Sequence, residues 1–370
     1  MNGAGFSFVV GPGEDGMTAR GTLRRVRGVS QRLVRKIAHG EGEGAGALYV
    51  NGRPARFNDR VKAGDEIRLV FPMEKSWIEP EDIPLTVLYE DDDILVIDKQ
   101  PGLVVHPTKG HREGTLAGAI IYYMRQRGES YKPHFISRLD MDTSGVLLVG
   151  KNSHAQDSLA KQTASGGVEK YYTVVLEGRL EDDLPPSGAI DLPIGLERPG
   201  EPRRAVLTEE GGGVPSRTEY EVLETLSYDA GSGKWITSSL SASRNDTDRS
   251  DEEGSFRAAS NDVDRGGEGG LFRPARNDDE SEDARSCQCS VLTVVRARLI
   301  TGRTHQIRVH FAHFGHPVLG DQLYGRATPL IGRQALHATE LVFAHPATGE
   351  PLRIVAPLPG DMAAFAGKKD

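Results

Sequence analysis

The sequence predicts an α+β protein of at least two domains, a small basic helix-and-hairpin module leading into a larger domain richer in strands than in helices. Three observations carry this. At 370 residues the chain exceeds what one hydrophobic core usually serves. Apolar periodicity gives a few short helical stripes among many short β-favouring runs. Charge is also uneven: residues 20–75 hold 13 Lys/Arg against 6 Asp/Glu, a net of +7, although the whole chain is at −8.

In order, residues 1–17 read as a Gly-rich extension with an isolated strand-like run, Phe6 to Val10. Residues 18–75 form the small module. Within it Ser30 to Ile37 reads as a basic helix, with Leu33 and Ile37 on one face and Arg32, Arg35 and Lys36 on the other, and Arg24, Arg25 and Arg27 just ahead. Ala47 to Val50 is a strand entering an Asn51-Gly52 hairpin turn, and Val61 to Val70 is a second turn and strand. A cationic helix face on so small a module fits either phosphate-backbone binding or a solvated surface.

Residues 76–370 make the larger domain. Leu85–Glu90 and Ile94–Asp98 are strands around the acidic turn Asp91-Asp92-Asp93. Pro101-Gly102 forces a turn. Thr115 to Arg127 is a helix whose Leu116, Ile120 and Met124 stripe belongs to the core; Ser153 to Thr163 is another. Strands follow over Glu169–Gly178, with Lys170 and Tyr172 on one face and Tyr171 on the other, and over Thr218–Thr225, with Tyr220, Val222 and Leu223 inward. After Val291–Ile300, Thr301 to His310 reads as a turn opening a helix, and the folded part ends with Leu336–Phe343 and Leu352–Pro357.

Residues 231–287 differ from everything around them. They are polar and almost without aliphatics, and Asn-Asp pairs recur at 245, 261 and 277. Residues 241–287 hold 7 Arg against 13 Asp/Glu, so most of the negative charge sits here. Such units bury too little to fold, which predicts a disordered acidic insert within one domain. The two cysteines, Cys287 and Cys289, cannot frame a disulfide scaffold and point to a reducing compartment. With no apolar run of membrane length and no signal-peptide core, the expected setting is soluble and cytoplasmic.

The chemistry concentrates at Arg138-Leu139-Asp140-Met141-Asp142-Thr143-Ser144-Gly145, a charged turn running into the apolar Val146–Val149. Charges at the mouth of a buried strand need partners. Arg138 and Arg308 are candidates, since a neighbouring arginine favours the ionised, nucleophilic form of a carboxylate. A capped turn with a structural ion pair would look the same. His310, His313 and His316 drift around a helix instead of converging, so no metal is expected. Gly231 to Lys234 lacks phosphate-loop spacing.

Arg138-Leu139-Asp140 with Thr143-Ser144-Gly145, Lys170-x-Tyr172, Thr301 to His310, His316-Pro317 and Gly320-Asp321 together resemble the RluA-type pseudouridine synthases, from about Ile83 to the C-terminus without the insert. Two positions depart from the family pattern: Ser137 stands where histidine is usual, and Lys-Pro-x-Gly appears as Lys99-Gln100-Pro101-Gly102. Residues 18–72 resemble the small RNA-binding module first described in a small-subunit ribosomal protein. The resemblance implies a mixed, mainly antiparallel sheet and uridine isomerisation in RNA, ribosomal rather than transfer RNA, without cofactor, by a monomer. It implies that Asp140 is the catalytic aspartate, Arg308 its partner, Tyr172 the ring packing on the target base, and Arg138 the side chain entering the RNA stack. Lys99, His106, Arg303 and His305, with Arg24, Arg25, Arg32, Arg35 and Lys36, are the further RNA contacts expected. Two rivals stand beside this: a non-catalytic RNA-binding or ribosome-assembly factor, indifferent to Asp140, and a carboxylate glycosidase, which would release free base.

Overall fold

The computed structural model describes residues 5–40, 45–72, 76–108, 110–229, 234–238 and 291–365, of which 228, 229 and 234–238 are described by backbone alone. The small module holds β1 (Gly5–Val9), α1 (Ala19–Arg25), α2 (Gln31–Ala38), β2 (Ala47–Val50), β3 (Arg53–Pro54) and β4 (Glu66–Val70). The larger part begins with β5 (Thr86–Glu90), β6 (Ile94–Lys99), α3 (Leu116–Gln126), β7 (His134–Phe135), β8 (Ser144–Gly150), α4 (Ser153–Ala164) and β9 (Glu169–Glu177). It continues through β10 (Ser187–Asp191), β11 (Ile194–Leu196), β12 (Arg204–Val206), β13 (Arg217–Asp229), β14 (Lys234–Ser238) and β15 (Val291–Leu299). The last elements are α5 (Gln306–His313), β16 (Leu336–Ala344), β17 (Pro351–Val355) and α6 (Gly360–Ala363).

In the module the four strands pair as β1-β4-β2-β3. Asn51 and Gly52 both take positive φ, 50° and 73°, the twist that a tight β2–β3 hairpin requires. Thr18 and Ser30 cap α1 and α2 by accepting from the Gly21 and Leu33 amides. Leu23, Leu33, Val34 and Ile37 then bury against Leu48, Ile67 and Leu69, leaving Arg24, Arg25, Arg32, Arg35 and Lys36 exposed. The boundary expected at residue 17 falls inside this sheet. Gly5–Val9 pairs with Val70–Glu66, and Phe6 and Phe8 pack against the module's core. Helix α1 had no reading of its own in the sequence, its apolar face being only Ala19 and Leu23 among arginines.

The larger part is one mixed, mainly antiparallel sheet of 11 strands among the described residues, ordered β10-β13-β15-β9-β16-β8-β6-β5, with β14 beside β13, β17 beside β16 and β7 beside β8. Both faces are covered, which explains the unbroken apolar runs of its central strands. In β6 and β8, Leu95, Ile97, Leu147 and Val149 face a core shared with α3 and α5, while Ile94, Val96, Val146 and Leu148 face α4. The joint between β8 and β16 is parallel and short, Ser144 against His337 and Gly145 against Ala338. The Asp140 turn enters the sheet at this joint.

Two expectations fail locally. Leu223 is 52% exposed: it follows inward Val222 by one residue, so strand alternation turns it to the other face. Lys234–Ser238, expected within the insert, pairs with Asp229–Thr225, a Trp-Ile-Thr run being a good strand former. The rest of the expected insert, with Cys287 and Cys289, lies outside the described residues.

His310 and His337 are fully buried. His310 lies between the Thr218 hydroxyl and the Leu192 carbonyl, and His337 between the Ser144 hydroxyl and the Ala356 carbonyl. Burial pushes both down to about 4 from an ordinary 6.5. Each ring therefore folds neutral while the unfolded chain takes up a proton, so stability should be complete above pH 6.5 and fall as pH drops toward 4. Urea unfolding at pH 7 and pH 5 should differ by roughly 2–4 kcal/mol for the pair. Equal midpoints would contradict their neutral burial.

Candidate active site

Asp140, Met141, Asp142 and Thr143 form a β-turn closed by the Thr143 amide donating to the Asp140 carbonyl at 3.1 Å. Every carbonyl of the turn has a donor. The Gly102 amide reaches Met141 at 3.0 Å, and an Arg333 Nη1 reaches Asp142 at 3.0 Å. Beneath the turn lies Lys99, 1% exposed, whose Nζ donates to the carbonyls of Met141 (2.7 Å), Thr143 (2.8 Å) and Gln100 (3.0 Å). Burial pushes the ammonium down to about 7, against the upward pull of Asp142 and Asp140; the three acceptors engage all three protons of the charged form. Lys99 is thus a strut of the turn. The RNA contact expected of it is ruled out by its burial.

The Asp140 carboxylate projects from this mount with about a quarter of its side chain exposed. Its Oδ2 accepts from Arg308 Nη1 at 2.8 Å. The same guanidinium grips Asp321 with two parallel bonds, Nε to Oδ2 at 2.6 Å and Nη2 to Oδ1 at 2.8 Å. Asp321 is fully buried, and its Oδ1 also accepts from the Leu323 and Tyr324 amides. Burial works against the charge on Arg308, but Asp321 and then Asp140 more than offset it, holding Arg308 above its ordinary range. The result is a fixed cation at one oxygen of Asp140, with the other oxygen unengaged by hydrogen bonds among the described residues.

Around this pair stand Tyr172, His305 and Tyr324. Tyr172 is 7% exposed, part of the main core, and pushed up by burial and by Asp140. His305 precedes α5 in a left-handed conformation, φ 60°, costly for a non-glycine residue. Its Nδ1 lies 2.9 Å from the Tyr324 hydroxyl and its Nε2 3.9 Å from Asp140. The Tyr324 oxygen accepts from the Arg204 amide, which leaves its proton for His305 Nδ1 and turns the Nε2–H toward Asp140. Burial holds His305 down, and so neutral, despite Asp140. Tyr324 also lies under the Arg308 guanidinium, 5.1 Å from the ring centre.

The structure therefore brings Asp140, Arg308, Tyr172 and His305 together. Arg138 and His106 are exposed on the same side of the turn. Arg303 is exposed, its Nε bonded to the Pro215 carbonyl at 3.3 Å. Arg24, Arg25 and Arg35 lie on the module's outer surface. His310 and His316 go to separate partners, Thr218 with Leu192 and Glu177 with Asp183. Asp321, Tyr324 and Arg333 had no assigned role in the sequence. The signal for Asp321 was a carboxylate after the apolar Val318-Leu319-Gly320, where only a paired charge is tolerated.

Gly145 follows the turn with φ +109°, and a Cβ there would strike the Ala338 backbone across the parallel joint. Gly145→Ala should cost about 3 kcal/mol or more and lower activity further by tilting the Asp140 mount. Thermal unfolding together with a turnover assay checks this, and an unperturbed variant would contradict it.

With this geometry in view, the sequence pattern of the RNA pseudouridylate synthase family matches residues 93–313. An RNA pseudouridine synthase of Chlorobaculum parvum is 35% identical over 86% of this chain and 84% of its own. A ribosomal large subunit pseudouridine synthase D of Nitrosomonas europaea is 32% identical over 86% of this chain and 75% of its own. Among solved structures, human RNA pseudouridylate synthase domain containing 1 is 24% identical, with a TM-score of 0.49 over 79% of this chain and 90% of that one. The profile match across the central sheet and the near-full-length relatives make one assignment: the chain belongs to the RNA pseudouridylate synthase family and is an RNA-modifying isomerase of the RluA type.

Proposed function

We propose that this enzyme isomerises uridines of large-subunit ribosomal RNA, with Asp140 as the catalytic carboxylate acting on a flipped-out nucleotide. The observation that carries the assignment of Asp140 is its half-open carboxylate, held at one oxygen by Arg308, itself clamped by buried Asp321. The ribosomal substrate is supported by the name of the Nitrosomonas relative.

The reaction breaks the bond from C1′ to N1, turns the base, and joins C5 to C1′; N1 gains a proton and C5 loses one. Nothing is oxidised and no water is consumed. Extruding the uridine costs a few kcal/mol of stacking, which an inserted guanidinium can recover in part. Arg138, exposed two residues before Asp140, is suited to that. Tyr172 offers an aromatic surface at the floor of the site, and the neutral His305 places an N–H beside Asp140. The groups named here all lie on one chain, which is consistent with a cytoplasmic monomer. No helix among the described residues is long and apolar enough to cross a membrane.

Mapping pseudouridines in the ribosomal and transfer RNA of a strain lacking the gene tests the substrate. One or more large-subunit positions should lose the modification and regain it on complementation. Loss confined to transfer RNA would overturn the ribosomal assignment.

A further inference from the structure

The small module and the larger sheet domain do not simply follow one another. Phe6 of β1 and Phe71 after β4 pack on the His154 ring of α4, at 5.3 and 6.1 Å between ring centres. This contact sets α2 opposite the segment that carries β7 and leads to the Asp140 turn. Between them lies a cleft of about 580 Å³. Arg32 and Lys36 line one wall, and Lys132, His106, Phe135 and Arg138 the other; Asp157 is the single carboxylate residue on its lining. Arg32, Lys132 and Arg138 are exposed and have no carboxylate partner among the described residues. At the rim stands Trp77, in the connector between the two parts, with 72% of its surface exposed. Its ring meets His106 edge-on at 6.0 Å, and His106 in turn meets Phe135 at 6.2 Å.

Arg32, Lys132 and Arg138, unpaired on a lining that holds one carboxylate, make a site for a polyanion. An exposed tryptophan beside them supplies what a protein surface otherwise avoids, a bare π-face. Together they match the physics of single-stranded nucleic-acid binding, a cationic track with an aromatic platform. The volume accommodates about two nucleotides and excludes an A-form duplex. Arg138 belongs both to this cleft and to the Asp140 turn, so a strand lying in the cleft leads directly to the reacting carboxylate.

We propose that this cleft holds the single-stranded RNA flanking the target uridine, with phosphates on Arg32, Lys36 and Lys132 and one base stacked on Trp77. The proposal rests on the reading of this enzyme as acting on a flipped-out uridine in RNA. It makes the module and the sheet domain two walls of one binding site, where a tethered module would bind independently.

The test is a fluorescence titration of the full chain carrying Trp235→Phe, which leaves Trp77 as its one tryptophan. The probe is a single-stranded RNA of about 12 nucleotides. Saturable quenching of Trp77 is expected, with a duplex of the same length binding about tenfold or more weakly. Arg32→Glu and Lys132→Glu, both at exposed positions, should each raise Kd about tenfold at low salt and flatten its salt dependence. Absent quenching, equal binding of duplex, equal competition by polyglutamate, or an unchanged Kd in both charge reversals would each overturn the cleft. Pseudouridine formation measured on the same preparations separates the two claims. Modification without these binding effects leaves the enzyme reading standing and removes the cleft, whereas quenching without modification of any RNA does the reverse.

Discussion

Asp140→Ala should bind RNA as tightly as the unaltered enzyme and form no detectable pseudouridine, a loss of at least about 10³-fold. Loss of activity without loss of affinity is what distinguishes the two roles of the site. Asp140 is not among the groups proposed to hold RNA, which are Arg138, His106 and the module's cations. Its carboxylate is partly exposed and its backbone is held by Gly102, Lys99 and Arg333 through the turn's own carbonyls. Removing the side chain therefore leaves the turn intact. It does leave Arg308 with one carboxylate instead of two, but Asp321 still satisfies two of its donors. A stability change of under about 1.5 kcal/mol is expected, measured by thermal unfolding beside the activity assay. Undiminished pseudouridine formation in the variant would move the chemistry from Asp140 to another group.

The largest stability effect should come from the next pair inward. Arg308→Ala strands the fully buried Asp321 without its counter-ion, and Asp321→Ala strands Arg308 beside Asp140 alone. Each should cost about 3–5 kcal/mol, the first by leaving a buried charge uncompensated and the second by leaving two buried guanidinium donors without acceptors. Arg308→Lys separates stability from chemistry. A lysine keeps the charge but cannot hold Asp321 with two parallel bonds while reaching Asp140 with a third. The variant should fold with a smaller loss, about 1–2 kcal/mol, and turn over about 10²-fold more slowly. Turnover equal to the unaltered enzyme would mean that the alignment of Asp140 does not depend on the guanidinium geometry.

How much of this was readable from residues alone depends on the kind of information. Periodicity sufficed for the central strands and for α3, α4 and α5, because apolar spacing is a local property of the chain. It failed at Gly5–Val9, whose membership in the small sheet depends on a partner strand some sixty residues away; Leu223, read as inward, lies one residue from inward Val222 and faces out. The site was legible to the extent that motif resemblance put Asp140, Tyr172 and Arg308 together; nothing in residue spacing links positions 140 and 308. Lys99 was expected to contact RNA on the resemblance alone. Its burial follows from the three backbone carbonyls the Asp140 turn points at it, which exist only once the turn has formed. The cleft was half legible. Arg32, Lys36, His106 and Arg138 were read as separate contacts, but their meeting on two walls and the place of Trp77 at the rim come from the packing of Phe6 and Phe71 on His154.

In the proposed reaction the Asp140 carboxylate drives an isomerisation at C5 of uridine. Joining C5 to C1′ must expel the C5 hydrogen, so large-subunit ribosomal RNA labelled with tritium at C5 of uridine reports each turnover as tritium released to water. The enzyme should release tritium in proportion to pseudouridine formed, with no free uracil, and Asp140→Asn, nearly the same in shape but without the charge, should release none above background. Tritium release by Asp140→Asn at the unaltered rate, or free uracil as the product, would rule out this role for Asp140.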